Sequence, residues 1–134
     1  MISRVGWTRI ALGLVLGANL SAAIPYLIEP AAYAGAFELS GVPGAAMVRG
    51  LGILFLMWNV TYLPVIADPL RQRTLFGIVL IQQVIGLAGE LWILASLPPG
   101  HAALAASGQR FVIFDVIGLA LLGLAFRLSR PAPK

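Results

Sequence analysis

Four long apolar runs dominate the sequence, at about residues 10–28, 45–66, 75–97 and 111–128. A helix rises about 1.5 Å per residue, so about 17–25 apolar residues span the hydrocarbon core of a bilayer. Each run ends in proline, glycine or charged residues, in the segments "IEPAAYAG", "ADPLRQR", "SLPPG" and "RLSRPAPK". The pattern predicts an all-α, polytopic membrane protein. Its four transmembrane helices are expected to form one antiparallel bundle, a single membrane domain over residues 1–134.

The composition favours a bilayer as the main partner of this chain. Of its residues 60% are hydrophobic and 10% are charged, whereas about 25% are charged in a typical soluble domain. The basic residues flank the apolar runs and form no patch interleaved with aromatic residues, which argues against nucleic acid as a partner. The absence of cysteine and the presence of a single histidine, His101, exclude thiolate chemistry and bis-histidine haem. We therefore predict no cofactor and no metal.

The distribution of arginine and lysine predicts the orientation of the bundle. Seven of the nine basic residues lie on the side that holds both chain ends, and only Arg49 and Arg110 lie on the other. By the positive-inside rule both termini are expected in the cytoplasm, with the protein in the cell membrane. The start "MISRVGWTR" and the following "IALGLVLGANLSAA" also resemble a signal peptide. The apolar character continues through "IPYLI", so we favour a retained first span.

Charged residues inside the runs are the main functional signal. Glu90 lies in "VIGLAGELWIL", and Asp115 follows the start of the fourth run. At 1.5 Å per residue we place both carboxylates roughly 10 Å below the outer surface. Arg49 and Arg110 lie above them on neighbouring runs. A lone charge near the bilayer centre costs about 2.5–3.5 kcal/mol, which predicts an outer polar layer with each carboxylate paired to an arginine.

A second group of polar residues is predicted deeper in the membrane. Asn59 on the second run and Gln83 on the third lie at similar depth, and Gln83 shares a helix face with Glu90. Trp58 is too deep for the interfacial aromatic belt and is expected to face the interior. Gly13, Gly17 and Ser21 recur at intervals of four, which predicts a helix-packing seam and raises a homo-oligomer as a possible state.

The order of several motifs resembles a known family. The chain contains "EPAAYAGAFEL", then "GVPGAAMVRGLGILFLMWNVTYLPVIADPLRQR" and finally "FDVIGLALLGLAFRL". This order is similar to that of the small four-helix membrane proteins grouped as DoxX-like or BphX-like. In that pattern an arginine opens the second span, a "DP" pair and arginines close it, and an aspartate occurs early in the last span. These positions correspond here to Arg49, Asp68 with Pro69, Arg71 with Arg73, and Asp115. The resemblance implies a four-helix membrane fold and assigns no quinone chemistry to any residue.

Three functions are compatible with these features. The favoured one is a non-catalytic accessory subunit of a larger membrane complex, or a self-associating bundle, which the polar layer holds together. The second is a small proton-coupled transporter in which Glu90 takes up and releases the proton. The third is a binding protein or enzyme for an apolar or lipid-like ligand, with Glu90 and Asp115 as acid and base or as partners of a cationic ligand. The presence or absence of a cavity beside Glu90 would distinguish ligand binding from a purely structural role, in which the carboxylate is closed off and paired. The candidate buried polar site contains Arg49, Asn59, Gln83, Glu90, Arg110 and Asp115.

Overall fold

The computed structural model describes residues 3–129, and every regular element in that range is helical. The elements are α1 (Arg4–Ile28), α2 (Pro30–Ala34), a 3-10 turn (Gly35–Phe37), α3 (Gly41–Asn59), α4 (Tyr62–Ala67), α5 (Arg73–Ser96) and α6 (Ala102–Leu128). Four segments are long and apolar enough to cross a membrane, namely α1, α3 together with α4, α5, and α6. The predicted all-α fold with four spans is confirmed.

The last span begins earlier than predicted. Helix α6 starts at Ala102 rather than near residue 111, because "AALAASGQR" is rich in alanine, the best helix former. The low hydropathy of this segment had favoured a connection. Roughly 20 Å of helix therefore precede Asp115 on α6. The prediction that Asp115 lies at the same depth as Glu90 is consequently wrong, because Asp115 is hydrogen-bonded to Gln83, which lies deeper on α5.

The second span is broken near Val60 and Thr61, where α3 ends and α4 begins. Pro64 has no backbone N–H, and the carbonyl of Val60 instead accepts from the N–H of Leu63 at 3.3 Å. The side chains of Asn59 and Thr61 donate to backbone carbonyls of the preceding turn. Proline and competing polar side chains together explain why this helix is interrupted.

The helices pack in a ring that is least complete between α3 and α5. Helix α1 packs along α3 and α6, and α5 packs along α6, whereas α3 and α5 scarcely approach each other. Short α4 contacts α1 and α5 in the half of the bundle that contains Arg4 and Leu128, which we call the inner part, and the opposite half is the outer part. The buried core occupies this inner part and consists of Leu12, Val15, Tyr62, Val65, Phe76, Val79, Leu122 and Ala125.

Helix α1 is integral to this core. Leu12 is fully buried, and the Thr8 hydroxyl donates to the Ala125 carbonyl of α6 at 3.3 Å. Helix α1 therefore packs as one of the four long helices of the bundle. Gly13 and Gly17, by contrast, have no neighbour within 4 Å of the position of a Cβ. The predicted small-residue seam of α1 is therefore not used for packing within the described chain.

The outer end of the bundle is closed by the connection between α1 and α3. Helix α2 and the 3-10 turn pack on α3 and on α6. Five rings meet beneath them with centroid separations of 5.2–6.3 Å. These rings belong to Tyr26, Tyr33, Phe37, Phe55 and Phe111. The Ser107 hydroxyl of α6 donates to the Ala36 carbonyl, which attaches the turn to the last span.

Candidate functional site

A cavity of about 200 Å³ lies between the four spans, on the outer side of the buried core. It is lined by residues of α1, α3, α5 and α6, and the gap between α3 and α5 lies beside it. The lining residues combine polar side chains with aromatic rings. Five of the six residues predicted for the buried polar site are among them, namely Asn59, Gln83, Glu90, Arg110 and Asp115.

Arg49 is the predicted site residue that does not line the cavity. Its side chain is exposed, and its Nε donates to the Leu27 carbonyl at 3.4 Å. Within residues 3–129 the only contact between a basic and an acidic side chain at ion-pair distance joins His101 to Glu38, in the outer connections. The predicted pairing of Glu90 and Asp115 with arginines is therefore wrong. Arg49 caps the end of α1 instead, because α3 turns it towards the carbonyl groups there.

Asp115 belongs to a hydrogen-bonded chain at the floor of the cavity. The Gln83 amide donates through Nε2 to Asp115 Oδ1 at 2.9 Å, and its Oε1 accepts from the Tyr62 hydroxyl at 3.4 Å. Tyr62 is fully buried and Gln83 is 2% exposed. Asp115 therefore lies at the depth of Gln83 and not in the outer layer with Glu90. This chain links α4, α5 and α6.

A pair of amides forms the adjoining wall. Asn19 on α1 donates through Nδ2 to Asn59 Oδ1 on α3 at 2.8 Å. The Asn59 amide in turn donates to the Phe55 carbonyl at 2.7 Å. Asn59 has its polar atoms satisfied by the protein, so we interpret this pair as a support that joins α1 to α3.

Glu90 occupies the outer wall and is half-buried, without an ion-pair partner among residues 3–129. Arg110 lines the same cavity, but its donors turn towards its own helix. Its Nε bonds the Ala106 carbonyl at 3.3 Å, and its Nη2 bonds the Ser107 hydroxyl at 3.2 Å. With Glu90, Asp115 and Arg110 all ionised, the charged lining would have a net charge of minus one.

Trp58 closes part of the gap between α3 and α5. Its indole ring lies against Gly86, where a Cβ would be 2.9 Å from Trp58 Cη2 and 3.1 Å from Asp115 Oδ2. A larger residue at position 86 would require Trp58 or Asp115 to shift. The Trp58 Nε1 atom is buried without a hydrogen-bond partner in the described part of the chain. The cavity wall thus contains a donor that the protein leaves unsatisfied.

The aromatic part of the lining was missed by sequence reasoning, apart from Trp58. Phe55, Phe111 and Phe114 line the cavity together with Trp58. Helical spacing carried the signal, since Phe111, Phe114 and Asp115 recur at intervals of three and four. Gly86 likewise lies between Gln83 and Glu90 on one face of α5.

Residues 3–129 bring together no group of three or more histidine, aspartate or glutamate side chains that would suit a metal ion. The polar groups that line the cavity can form hydrogen bonds and charge interactions. Comparisons with protein-family models, with curated proteins and with solved structures gave no match to this chain.

Proposed function

We propose that this protein binds a small molecule with an apolar body in the cavity beside Glu90. The observation that carries the proposal is the cavity of about 200 Å³ whose wall contains a carboxylate with no ion-pair partner among residues 3–129. Small-molecule sites are usually apolar clefts with a few polar groups that orient the ligand. The absence of the expected arginine partner weighs against a purely structural role for Glu90, because a buried charge without a partner is costly.

The ligand enters laterally from the bilayer in this proposal. Helices α3 and α5 scarcely approach each other beside the cavity, and Trp58 is the side chain that crosses the gap to Gly86. An apolar molecule dissolved in the membrane would reach the site without crossing water. We place the cavity in the outer half of the cell membrane, with both termini in the cytoplasm, because the arginine bias favours that orientation.

Quenching of Trp58 fluorescence tests whether the cavity takes up such a molecule. A variant with Trp7→Phe and Trp92→Phe retains Trp58 alone, and 1-bromoadamantane serves as a neutral apolar probe whose bromine quenches indole at contact. In phosphatidylcholine nanodiscs we expect saturable quenching of Trp58. The matched control retains Trp92 alone, a residue 77% exposed on the outside of the bundle, and should show only linear quenching from probe dissolved in lipid.

A space-filling variant provides the second arm of this test. Ala22 lines the cavity, and Ala22→Phe should remove the saturable component. Ala88→Phe adds the same ring at an exposed position of α5 and should leave it intact. Equal, unsaturable quenching of Trp58 and Trp92 would contradict the proposal.

A further inference from the structure

We propose that the ligand is a lipophilic amine, held by its protonated nitrogen between Glu90 and Asp115 and by its apolar body among the aromatic rings. This inference rests on the proposed function and names the ligand class of the same cavity. Three independent features support a cation, and they are the charge balance of the lining, the free carboxylate oxygen and the aromatic faces.

The charge balance of the lining favours a single positive charge. Glu90 comes from α5, while Asp115 and Arg110 come from α6. The cavity residues of α1 and α3 are neutral, namely Asn19, Ala22, Phe55, Trp58 and Asn59. With Arg110 counted, the ionised lining has one excess negative charge, which a ligand cation would neutralise. An anionic ligand would instead face two carboxylates and be repelled.

One oxygen of Asp115 accepts no hydrogen bond within residues 3–129. Gln83 donates to Oδ1, and no donor is bonded to Oδ2. Asp115 lines the cavity, so a ligand there can reach this carboxylate. An ammonium N–H donates strongly to such an oxygen, and hydrogen bonds between ionised partners are the stronger ones.

The aromatic lining would replace the water that a cation loses on entry. Phe55, Trp58, Phe111 and Phe114 all line the cavity. A cation over the face of an aromatic ring is attracted by the ring quadrupole, most strongly for tryptophan and when water is excluded. Carboxylates and ring faces together favour an ammonium group over a neutral polar group on the same apolar body. The same rings would pack against the apolar body of the amine.

Three probes with one body test the ligand class. 1-Aminoadamantane is cationic at pH 7, 1-adamantanol is neutral and adamantane-1-carboxylate is anionic. Each is titrated against bound 1-bromoadamantane in nanodiscs of the variant that retains Trp58 alone, and recovery of Trp58 fluorescence measures displacement. We expect the amine to displace the bromide at a concentration about tenfold to a hundredfold lower than the alcohol, the range expected for a hydrogen bond to a charged group.

Glu90→Gln should remove most of this preference for the amine over the alcohol, and Glu90→Asp should retain part of it. Glu29→Gln is the matched control, because it removes an exposed carboxylate from the outer end of α1, away from the cavity. The control should keep the full preference. If Glu90→Gln does not fold, Asp115→Asn takes its place. The comparison of amine with alcohol on the parent protein needs neither variant and tests the ligand class by itself.

The outcomes separate the two proposals. Equal displacement by amine and alcohol, with saturable quenching by the bromide intact, would overturn the amine and leave the binding function standing. An equal loss of the preference for the amine in Glu29→Gln and in Glu90→Gln would overturn the amine proposal as well. The preference would then come from general attraction of cations to the protein and not from the cavity. Absence of saturable quenching by any probe would overturn the proposed function and this inference with it.

Discussion

Gln83 is the residue on which the polar floor of the cavity depends. Its amide contacts Asp115 on one side and Tyr62 on the other, and its side chain is nearly inaccessible. An amide is suited to this position because it donates and accepts at once. A carboxylate would repel Asp115, and an apolar side chain would leave both neighbours unpaired.

We expect Gln83→Leu to destabilise the bundle by about 1–3 kcal/mol, the cost of leaving buried polar groups unsatisfied. The adjacent Gln82 is less buried and accepts from the Thr61 hydroxyl at 3.1 Å. Gln82→Leu is therefore the control and should cost less. Thermal unfolding in detergent, followed by circular dichroism, compares the two variants. Equal losses would contradict the special position of Gln83.

Glu90 should not stabilise the bundle. Because no arginine pairs with it in residues 3–129, Glu90→Gln breaks no ion pair, and we expect it to lower the free energy of unfolding by no more than about 0.5 kcal/mol. Arg49→Met should behave similarly, since Arg49 is exposed. Both variants are compared with the parent by thermal unfolding at neutral pH. A loss of about 3–5 kcal/mol on Glu90→Gln would instead indicate a buried ion pair.

Close contact between α1 and α3 depends on Gly52. A Cβ at this position would lie 3.0 Å from the Ala23 carbonyl oxygen, 3.0 Å from Leu27 Cγ and 3.1 Å from Tyr26 Cβ. Two helix backbones meet here, and a backbone oxygen cannot move away as the end of a side chain can. Gly50, two residues earlier, has open space at the same position.

We expect Gly52→Ala to cost about 1–3 kcal/mol through overpacking of this crossing. Gly50→Ala is the matched control and should be neutral or mildly stabilising, because alanine favours a helix over glycine. Thermal unfolding of both variants in the same detergent makes the comparison. A neutral Gly52→Ala would show that α1 and α3 separate easily at this point.

The outer connections are joined by a contact that responds to pH. His101 Nδ1 is hydrogen-bonded to Glu38 Oε2, and the Leu104 N–H at the start of α6 donates to Glu38 Oε1 at 3.3 Å. The hydrogen bond from His101 holds the pKa of Glu38 below its usual range. The ionised form therefore stabilises the folded state fully above the unfolded pKa of about 4.3. That contribution is lost as the pH falls through the lower pKa of the folded state.

We therefore expect protection of the Leu104 amide from hydrogen exchange to fall when the pH drops from 7 to below about 4. The Ala105 amide, which donates to the His101 carbonyl at 2.9 Å, is the internal control and should change less. Glu38→Gln should abolish the difference between the two pH values. Exchange is followed by mass spectrometry with correction for intrinsic rates. Unchanged protection of Leu104 would contradict a role for the Glu38 carboxylate in joining these connections.

The topology of the entire chain is open to a direct test, because the sequence contains no cysteine. Ser40 and Leu70 are exposed and lie at opposite ends of the bundle. With both termini in the cytoplasm, a membrane-impermeant maleimide added outside intact cells should label Ser40→Cys and spare Leu70→Cys. Permeabilised cells should be labelled at both positions. The reverse pattern in intact cells would overturn the orientation derived from the positive-inside rule.

The sequence by itself determined the class of fold, since run length and hydropathy depend only on the order of residues along the chain. Four spans, an all-α bundle and the end of the second span near Asp68 follow from that order. It also selected five of the residues that line the cavity, because polar side chains inside apolar runs are costly and turn inwards. The start of α6 at Ala102 was not predicted, because hydropathy indicates which residues lie in the membrane core and not where a helix begins.

Only the tertiary structure decided which polar groups meet. The rotation of each helix about its axis and its axial offset from its neighbours arise from packing between helices, which no spacing within one run reveals. These two variables placed Asp115 beside Gln83 instead of Glu90, turned Arg49 to the end of α1 and directed Arg110 towards Ser107. The cavity has the same origin, because it lies where α3 and α5 stay apart while Trp58 crosses to Gly86.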